Sequence, residues 1–404
     1  MISDKRILYL AHRFPYPPAG GAKVRAFHCL SHLAKKNEVT VAAPLRDRDE
    51  ARAVAGLEAK GVEVLAAPIS RLRAGLQSLA YAGTARPASM GYFRSPELVR
   101  KLRRWTSERR PDLIIVHSSS VAPYVERLAG IPKLLDFVDM DSRKWRDYAG
   151  MTRFPRALVY RREAVTLERA ERRLARAFDC CLVATEHERE SLAEIAGDVA
   201  SAVVRNGVDL DYFAPGDEPC DPNRLCFVGR MDYYPNEQAM EIFCRRVWPR
   251  IRAERPAAAL DIVGASPTPR VRALGGLEGV TVTGTVEDVR PYVRRAAATV
   301  APLAIARGTQ NKILESMALG VPVIASPVAA KGVDAEPGTH LLVADGEEET
   351  AKAALRLMND GHERDRLARA GRALAEERYA WSRTLEDFDR AVEMVSRNST
   401  ERDV

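Results

Sequence analysis

Short apolar runs recur along the chain, separated by amphipathic stretches, and the order of the two predicts most of the elements. Arg6 to Leu10 (RILYL) reads as a first buried strand. The loop after it, AHRFPYPPAGGAKVRAF, is kept irregular by its prolines, and Gly20 and Gly21 let a ligand approach the backbone. Ala22 to Lys35 carries Val24, Phe27, Leu30 and Leu33 at helical spacing. Glu38 to Ala43 is a second strand, Asp47 to Lys60 a helix and Val62 to Ala66 a third strand. A βαβαβ rhythm of this kind predicts a parallel sheet with crossover helices. Arg71 to Phe93 breaks the rhythm and reads as irregular. Pro96 to Arg109 is a basic helix, and Asp112 to His117 (DLIIVH) is a buried strand. His117 thus stands at a carboxyl strand end, the edge where open α/β sheets hold ligands. Lys133 to Val138 is a further strand, followed by the acidic DMDSRKW segment. Pro155 to Phe178 is a long basic helix, and Cys180 to Ala184 and Ala202 to Val204 close the half as strands.

The second half repeats the pattern. Asn206 to Pro215 (NGVDLDYFAP) opens on an Asn-Gly turn signal and leaves as an extended exit. Gly216 to Asn223 lacks periodicity and is the expected interdomain linker. Strands follow at Leu225 to Val228, Ala259 to Val263, Val280 to Val282, Thr299 to Leu303, Pro322 to Ala325 and His340 to Val343. Helices are expected at Asn236 to Arg245, Trp248 to Glu254 and Asp288 to Arg295, and Glu347 to Val395 reads as two or three charged helices. The domains expected are 1–215, 216–380 and a terminal helix, 381–404.

One stretch carries most of the chemistry. Ala306 to Pro322 (ARGTQNKILESMALGVP) is a glycine-led loop rising into a helix N-terminus. Unpaired N–H groups and the helix dipole make such a place an anion site. Lys312 adds a mobile positive charge, and Glu315 lies three residues on, on the same side of the turn. A cradle with a carboxylate beside it suits a nucleoside diphosphate, the carboxylate taking ribose hydroxyls. The plainer reading is a capped helix with Glu315 solvated.

Composition narrows the class. Hydrophobic residues make up 46% and charged residues 29% of the 404, an ordinary soluble balance, and no apolar run approaches the ~20 residues of a membrane span. The N-terminus lacks the apolar core of a signal peptide. The six cysteines form no C-x-x-C pair, and Cys180-Cys181 in an apolar run favours reduced thiols and a cytosolic setting. A net charge of +7, mostly from arginine, fits acidic partners. Nucleic acid is disfavoured, because aromatics are only 6% and do not interleave with the arginines. The 155–178 helix reads first as a solvated face and second as a surface for an anionic bilayer. No zinc spacing, Walker loop or nucleophile elbow is present.

NGVDLDYFAP, FVGRMDYYPN, LDIVGASP, VTVTGTVEDVRPYV, VAPL and GTQNKILESMALGVPVIASPVAAKGVD occur in the order found in retaining GT-B glycosyltransferases of family 4. FPYPPAGGAKVRAFHCLSHLAKKNEVTVAAP and LLDFVDMDSRKWRDYA resemble a narrower subgroup, sugar transferases of bacterial exopolysaccharide and PEP-CTERM-type loci. The resemblance implies two Rossmann-like domains facing a central cleft, the donor held mostly by the second, and a last helix returning to the first. It implies that Arg230 and Lys312 meet the diphosphate, that Glu315 (second Glu of E-x7-E) holds the ribose, and that Gly284, Thr285 and Val286 meet the base. Arg307, Gly308, Thr309, Gln310 and Asn311 form the donor loop, Gly20 and Gly21 the N-domain glycine loop, and His117 contacts the donor sugar. Asp139 and Asp141 read as helix caps or acceptor contacts, and His117 equally as an ordinary structural histidine.

One position departs from the pattern. The first Glu of E-x7-E is Arg307 here, which fits a phosphate or an acidic sugar such as a uronate. The implied reaction is transfer, with retention, from a UDP- or GDP-sugar to a hydroxyl of a glycan or lipid-linked glycan. No metal or other cofactor is expected, because Asp139-Met140-Asp141 has metal spacing but lies in the N-domain. The expected location is cytoplasmic, peripheral at the inner face of the plasma membrane. The alternatives are a nucleotide-sugar 2-epimerase of the same fold, for which no carboxylate pair stands out, and a non-catalytic scaffold.

Overall fold

The computed structural model describes residues 2–18 and 21–400, so Gly20 lies outside the described residues. The chain forms two compact units, Met1–Arg205 with Thr384–Val404, and Asn206–Arg383.

The first unit is built on seven parallel strands: β1 (Arg6–Ala11), β2 (Glu38–Leu45), β3 (Glu63–Pro68), β4 (Leu113–His117), β5 (Lys133–Val138), β6 (Cys180–Val183) and β7 (Ser201–Val203). Their spatial order is β3-β2-β1-β4-β5-β6-β7. In β1 the side chains alternate: Ile7 and Tyr9 join one core, Leu8 and Leu10 the other. Helices cover both faces, so the strand reads as an unbroken apolar run rather than an alternating one. The terminal helix Trp381–Thr400 sets Phe388, Ala391, Val392 and Val395 on one stripe, and these complete the core around Ile7, Tyr9 and Leu30.

The second unit has six parallel strands: β8 (Asp221–Val228), β9 (Ala259–Val263), β10 (Val280–Gly284), β11 (Ala296–Ala301), β12 (Val323–Ala325) and β13 (Leu342–Val343), in the order β10-β9-β8-β11-β12-β13. The NGVDLDYFAP stretch belongs to this unit. Val208 N–H donates to Tyr379 O (2.7 Å), and a Cβ on Gly207 would lie 2.4 Å from the Trp381 ring. The first division therefore falls at Arg205/Asn206, ahead of the expected 215/216, and Asp221–Asn223 at the end of the expected linker already pair within β8.

Three local expectations change. Arg71 to Phe93 is not irregular: it holds helices Arg71–Ala82 and Ala88–Tyr92. Its Leu72, Leu76 and Leu79 do fall at helical spacing, and Gly75 and the small residues around them mask the pattern. Asn236–Glu254 is one continuous run, with a π turn at Phe243–Val247 joining its two helical parts. The basic helix spans Arg156–Ala177; its Leu167 and Leu174 are core, whereas Leu158 and Val165 are exposed.

Phe388→Ala is expected to destabilise the first unit by about 3–5 kcal/mol, because a fully buried ring leaves a cavity. The check is the denaturant midpoint. An unchanged midpoint would mean that the terminal helix adds nothing to this core.

Candidate active site

Strand order reverses once in each sheet, between β1 and β4 and between β8 and β11. Crossovers leave in opposite directions at such a point and open a crevice at the carboxyl ends of the strands. In the second unit, β8 ends at Gly229 and β11 leads into the 302–310 loop. Gly229 N–H donates to Val263 O (3.0 Å). A Cβ there would lie 2.7 Å from Asn236 Nδ2 and 3.3 Å from Lys312 Nζ, so only glycine leaves this pair its space. Gly264, at the end of β9, has φ 144° and packs on Gly229 O so closely that a Cβ would sit 1.9 Å from it.

Asn236 ties the two basic candidates together. Its Nδ2 donates to the Arg230 carbonyl (2.9 Å) and its Oδ1 accepts from Lys312 Nζ (2.8 Å). Lys312 Nζ also stands 4.0 Å over the Phe227 ring. The Arg230 side chain is exposed and paired with Asp232 (2.6 Å), as a surface ion pair would be. This pairing raises the arginine pKa and lowers that of Asp232.

The donor loop is braced from below. Gly308 has φ 56°, and a Cβ on Gly332 would lie 2.2 Å from Gly308 O. Gln310 Nε2 donates to Arg307 O (3.1 Å), with Arg307 itself half-buried. Helix Asn311–Ala318 starts without a side-chain cap; its Ile313 N–H donates to Gln310 O (2.9 Å), and the N–H groups of Asn311 and Lys312 precede the first bond within the helix. Asn311 Oδ1 accepts from Asn206 (3.4 Å), and Thr309 Oγ1 is buried with no hydrogen-bond partner. Burial pushes Lys312 down to about 7, against the pull of Glu315. Burial likewise pushes Glu315 up to about 7, against Lys312. Gly284 (φ 70°) ends β10 at the same sheet edge, followed by exposed Thr285 and half-buried Val286, and its carbonyl accepts from Gly264 N–H (3.2 Å). One edge of this sheet thus gathers Arg230, Lys312, Glu315, the 307–311 loop and Gly284–Val286.

In the first unit His117 is fully buried at the end of β4, on the β1/β4 reversal. Its Nδ1 lies 3.1 Å from Asp136 Oδ2. Asp136 also accepts from Arg25 Nε (2.7 Å) and Nη2 (3.0 Å), and Arg25 Nη1 donates to Val204 O (2.6 Å). The Arg25 guanidinium and then His117 hold Asp136 well below the usual carboxylate range, against its burial. An ionised carboxylate only accepts, so His117 Nδ1 carries the hydrogen. Nε2 is buried and has no hydrogen-bond partner. His12 stacks on it with ring centroids 5.7 Å apart, and burial lowers the His12 pKa. Gly21 opens helix Gly21–Leu33, which supplies Arg25.

Asp139 and Asp141 sit at the start of helix Asp141–Met151, but neither caps it. The Met140 N–H donates to Glu188 Oε2 (2.7 Å) and the Ser142 N–H to Glu171 Oε1 (2.9 Å). Asp139 Oδ1 is buried without a partner, and burial, then Glu188, push its pKa up to about 7. Among the described residues no cluster of three His, Cys, Asp or Glu side chains is placed to hold a metal.

Sequence reasoning missed Asn236 and Arg25. Asn236 gives no signal, since an asparagine in the first turn of a helix is ordinary. Arg25 lies among apolar positions of its helix, and a basic residue on a buried face is a sign that it has a fixed partner.

The geometry defines a GT-B protein: two Rossmann-like parallel-sheet units, each with one reversal of strand order. The model described as "Glycosyltransferase Family 4" matches residues 19–212, and "Glycosyl transferases group 1" matches residues 222–360. The chain is a glycosyltransferase of the family 4 type. Similar solved structures include Anabaena HepE in complex with UDP-glucose, at 15% identity and TM-score 0.69, covering 97% of this chain and 99% of that one. Sucrose-phosphate synthase from Thermosynechococcus elongatus is 16% identical, with TM-score 0.72 and the same coverage of 97% and 99%. A glycosyltransferase from Rickettsia africae is 12% identical, with TM-score 0.67 and coverage of 98% and 99%. These identities speak for the fold. No curated protein sequence matches the chain.

The half-buried Lys312–Glu315 pair gives a pH signature. Glu315 binds its proton more readily when folded, so its contribution to stability falls as pH rises from its ordinary 4.5 to about 7. Lys312 releases its proton more readily, so its contribution rises with pH from about 7 toward its ordinary 10.5. Glu315→Gln is expected to flatten the acid-side fall in thermal melts taken across this range. Identical acid-side slopes for the variant and the wild type would contradict the raised Glu315 pKa.

Proposed function

We propose that the chain moves a glycosyl unit from a nucleoside-diphosphate sugar, with its configuration retained, to a hydroxyl of a glycan or lipid-linked glycan in exopolysaccharide assembly. The observation that carries this reading is Lys312, bonded to Asn236 at an uncapped helix start with Glu315 one turn on. A diphosphate leaving group needs its growing charge neutralised as the glycosidic bond stretches. Lys312, Arg230 and the first-turn N–H groups supply that from fixed positions. Arg230 gives up only an exposed ion pair with Asp232, which is worth little, and exchanges it for a charge-assisted phosphate bond. A bound phosphate also raises the Lys312 pKa and draws a proton onto it.

Glu315 takes the ribose hydroxyls and the backbone of Gly284–Val286 takes the base. UDP is the first base to test, because Anabaena HepE is described in complex with UDP-glucose, and GDP is the second. Gly20 and Gly21 line the phosphate and acceptor side of the N-domain, and Asp139 and Asp141 serve the acceptor. His117 Nε2 accepts a hydrogen bond from a sugar hydroxyl. The leaving phosphate takes the acceptor's proton, so no protein nucleophile is required. Arg307, where the family pattern has Glu, favours a donor with a further negative charge, such as a uronate. The same replacement favours one other reading, a scaffold that binds the nucleotide without turnover. The reaction is placed in the cytoplasm at the inner face of the plasma membrane.

Melting of the wild type with UDP, GDP, ADP, CMP and their sugar conjugates is the direct test. A ligand at 100 times its Kd stabilises the folded chain by about 2.7 kcal/mol. One nucleotide series should shift the wild type, and Glu315→Ala should lose most of that shift. No shift from any nucleotide would sink the donor assignment.

His117→Ala is expected to keep the nucleotide shift and to lower turnover on the order of 100-fold. Undiminished turnover would return His117 to a purely structural role. A shift with no turnover by the wild type on any donor would favour the scaffold.

A further inference from the structure

Helix Arg71–Ala82 turns one side inward and leaves the other bare. Ala74 is buried, and Ser78 Oγ donates to Ala88 O (2.9 Å) across to the short helix Ala88–Tyr92. A Cβ on Gly91 would lie 2.9 Å from Gln77 O, so the two helices are in close contact. Leu72, Leu76 and Leu79, at i, i+4 and i+7, point the other way and are 82%, 67% and 71% exposed. The C-terminal end of this helix is held against helix Arg156–Ala177. Arg162 Nη2 donates to the Tyr81 carbonyl (2.9 Å), and Glu163 accepts from the Ala88 and Ser89 N–H groups (2.8 and 2.9 Å). Just before that junction, Phe154, Leu158 and Val159 are 83%, 63% and 62% exposed.

We propose that this face docks the chain on an anionic lipid bilayer. The charge distribution argues for it. Residues 71–95 contain four arginines, and residues 151–162 contain four more, with no Asp, Glu or Lys in either stretch. The whole chain has 62 basic and 55 acidic side chains, so outside these two stretches the totals are 54 and 55. Eight basic and no acidic side chains thus border the most exposed apolar side chains of the chain. Arg73, Arg153, Arg156 and Arg161 are all exposed there. A cavity of about 600 Å³ also opens beside the junction, past Tyr81, lined by Arg86, Arg94, Arg103, Arg127 and Arg169. Its carboxylate, Glu126, is already held by Arg173 (2.6 Å). Such a cavity suits a phosphate headgroup.

Apolar side chains rimmed by arginine match the interface of an anionic leaflet, where acyl chains lie beneath negative headgroups. A second copy fits worse. A two-fold contact would set this patch against itself, arginine facing arginine. Nucleic acid fits worse too, since leucines offer no stacking platform. No helix among the described residues is long and apolar enough to cross a membrane, so binding would be at the surface. The inference gives a surface to the inner-face location proposed above, and it does not depend on the identity of the donor.

The test is sedimentation of the full chain with vesicles of phosphatidylcholine alone and of an equal mixture with phosphatidylglycerol. Wild type should bind the mixture and not the neutral vesicles, and release at high salt. Leu72→Ser, Leu76→Ser and Leu79→Ser together should lower binding at least tenfold, since each buried leucine favours the bound state by roughly tenfold or more. Arg153→Gln, Arg156→Gln and Arg161→Gln together should lower it on the order of 100-fold, at about fivefold each. All six positions are exposed, so melting temperatures should hold. Equal binding to both vesicle types, no binding to either, or full binding by both variants would overturn the proposal. So would a wild-type dimer that the leucine variant converts to monomer without any vesicle binding. Nucleotide-induced melting shifts, measured on the same samples, separate failure of this inference from failure of the donor-site reading.

Discussion

Parallel strands cannot be joined by a tight turn, so each must be reached by a crossover that packs on one face of the sheet. That constraint shapes both units. Crossovers that reverse direction at β1/β4 and β8/β11 open a crevice at the carboxyl ends of the strands in each sheet. Most of the candidate site residues lie at those ends. Gly229, Gly264 and Gly284 end three adjacent strands in the second unit, and at the first two a single Cβ would collide with backbone or with the Asn236–Lys312 pair. Small residues there hold a space open that a chain packing for stability alone would fill.

The two edges handle buried charge in opposite ways. In the first unit Arg25 meets Asp136 with two hydrogen bonds, and His117 adds a third. The network leaves Asp136 ionised and one histidine nitrogen with a fixed role. In the second unit the charges are left uncompensated. Lys312 has an amide oxygen and a ring face near its ammonium, neither of which replaces water for a cation, and its pKa falls. Glu315 is a turn away and its pKa rises for the same reason. A network that is satisfied by its own residues sets geometry. One that is left short stores affinity for a group that brings the missing charge, and a diphosphate with a ribose brings both an anion for Lys312 and hydroxyl donors for Glu315.

Much of this was legible beforehand. The alternation of apolar runs with amphipathic stretches predicts both parallel sheets, because burial on both faces makes each strand a continuous run. The 306–322 loop and helix were legible as elements, because a glycine-led polar loop runs into an apolar helical face that stops at Gly320-Val321-Pro322. What was hidden depends on neighbours distant in sequence. Asn236 lies far from Lys312 along the chain, and nothing local distinguishes it. The unit boundary at Arg205 was hidden because Val208 pairs with the backbone at Tyr379 and Ala380, a contact no local pattern carries. Helix Arg71–Ala82 was overlooked although Leu72, Leu76 and Leu79 stand at i, i+4 and i+7, because Gly75 and the arginines and small residues around them weigh against a helix.

That last failure bears on how the charge of the chain should be read. A net +7 invites the thought that the nucleotide site accounts for it. The donor site proposed above uses Lys312, Arg230 and a helix start, two charges that work by placement. Away from residues 71–95 and 151–162 the basic and acidic side chains nearly cancel. On the bilayer reading proposed above, charge of that kind acts through a surface potential, which is long in range and needs no fixed geometry, whereas a bound nucleotide needs charge at fixed positions. The two kinds of positive charge differ in arrangement, and arrangement is what separates a site from a surface.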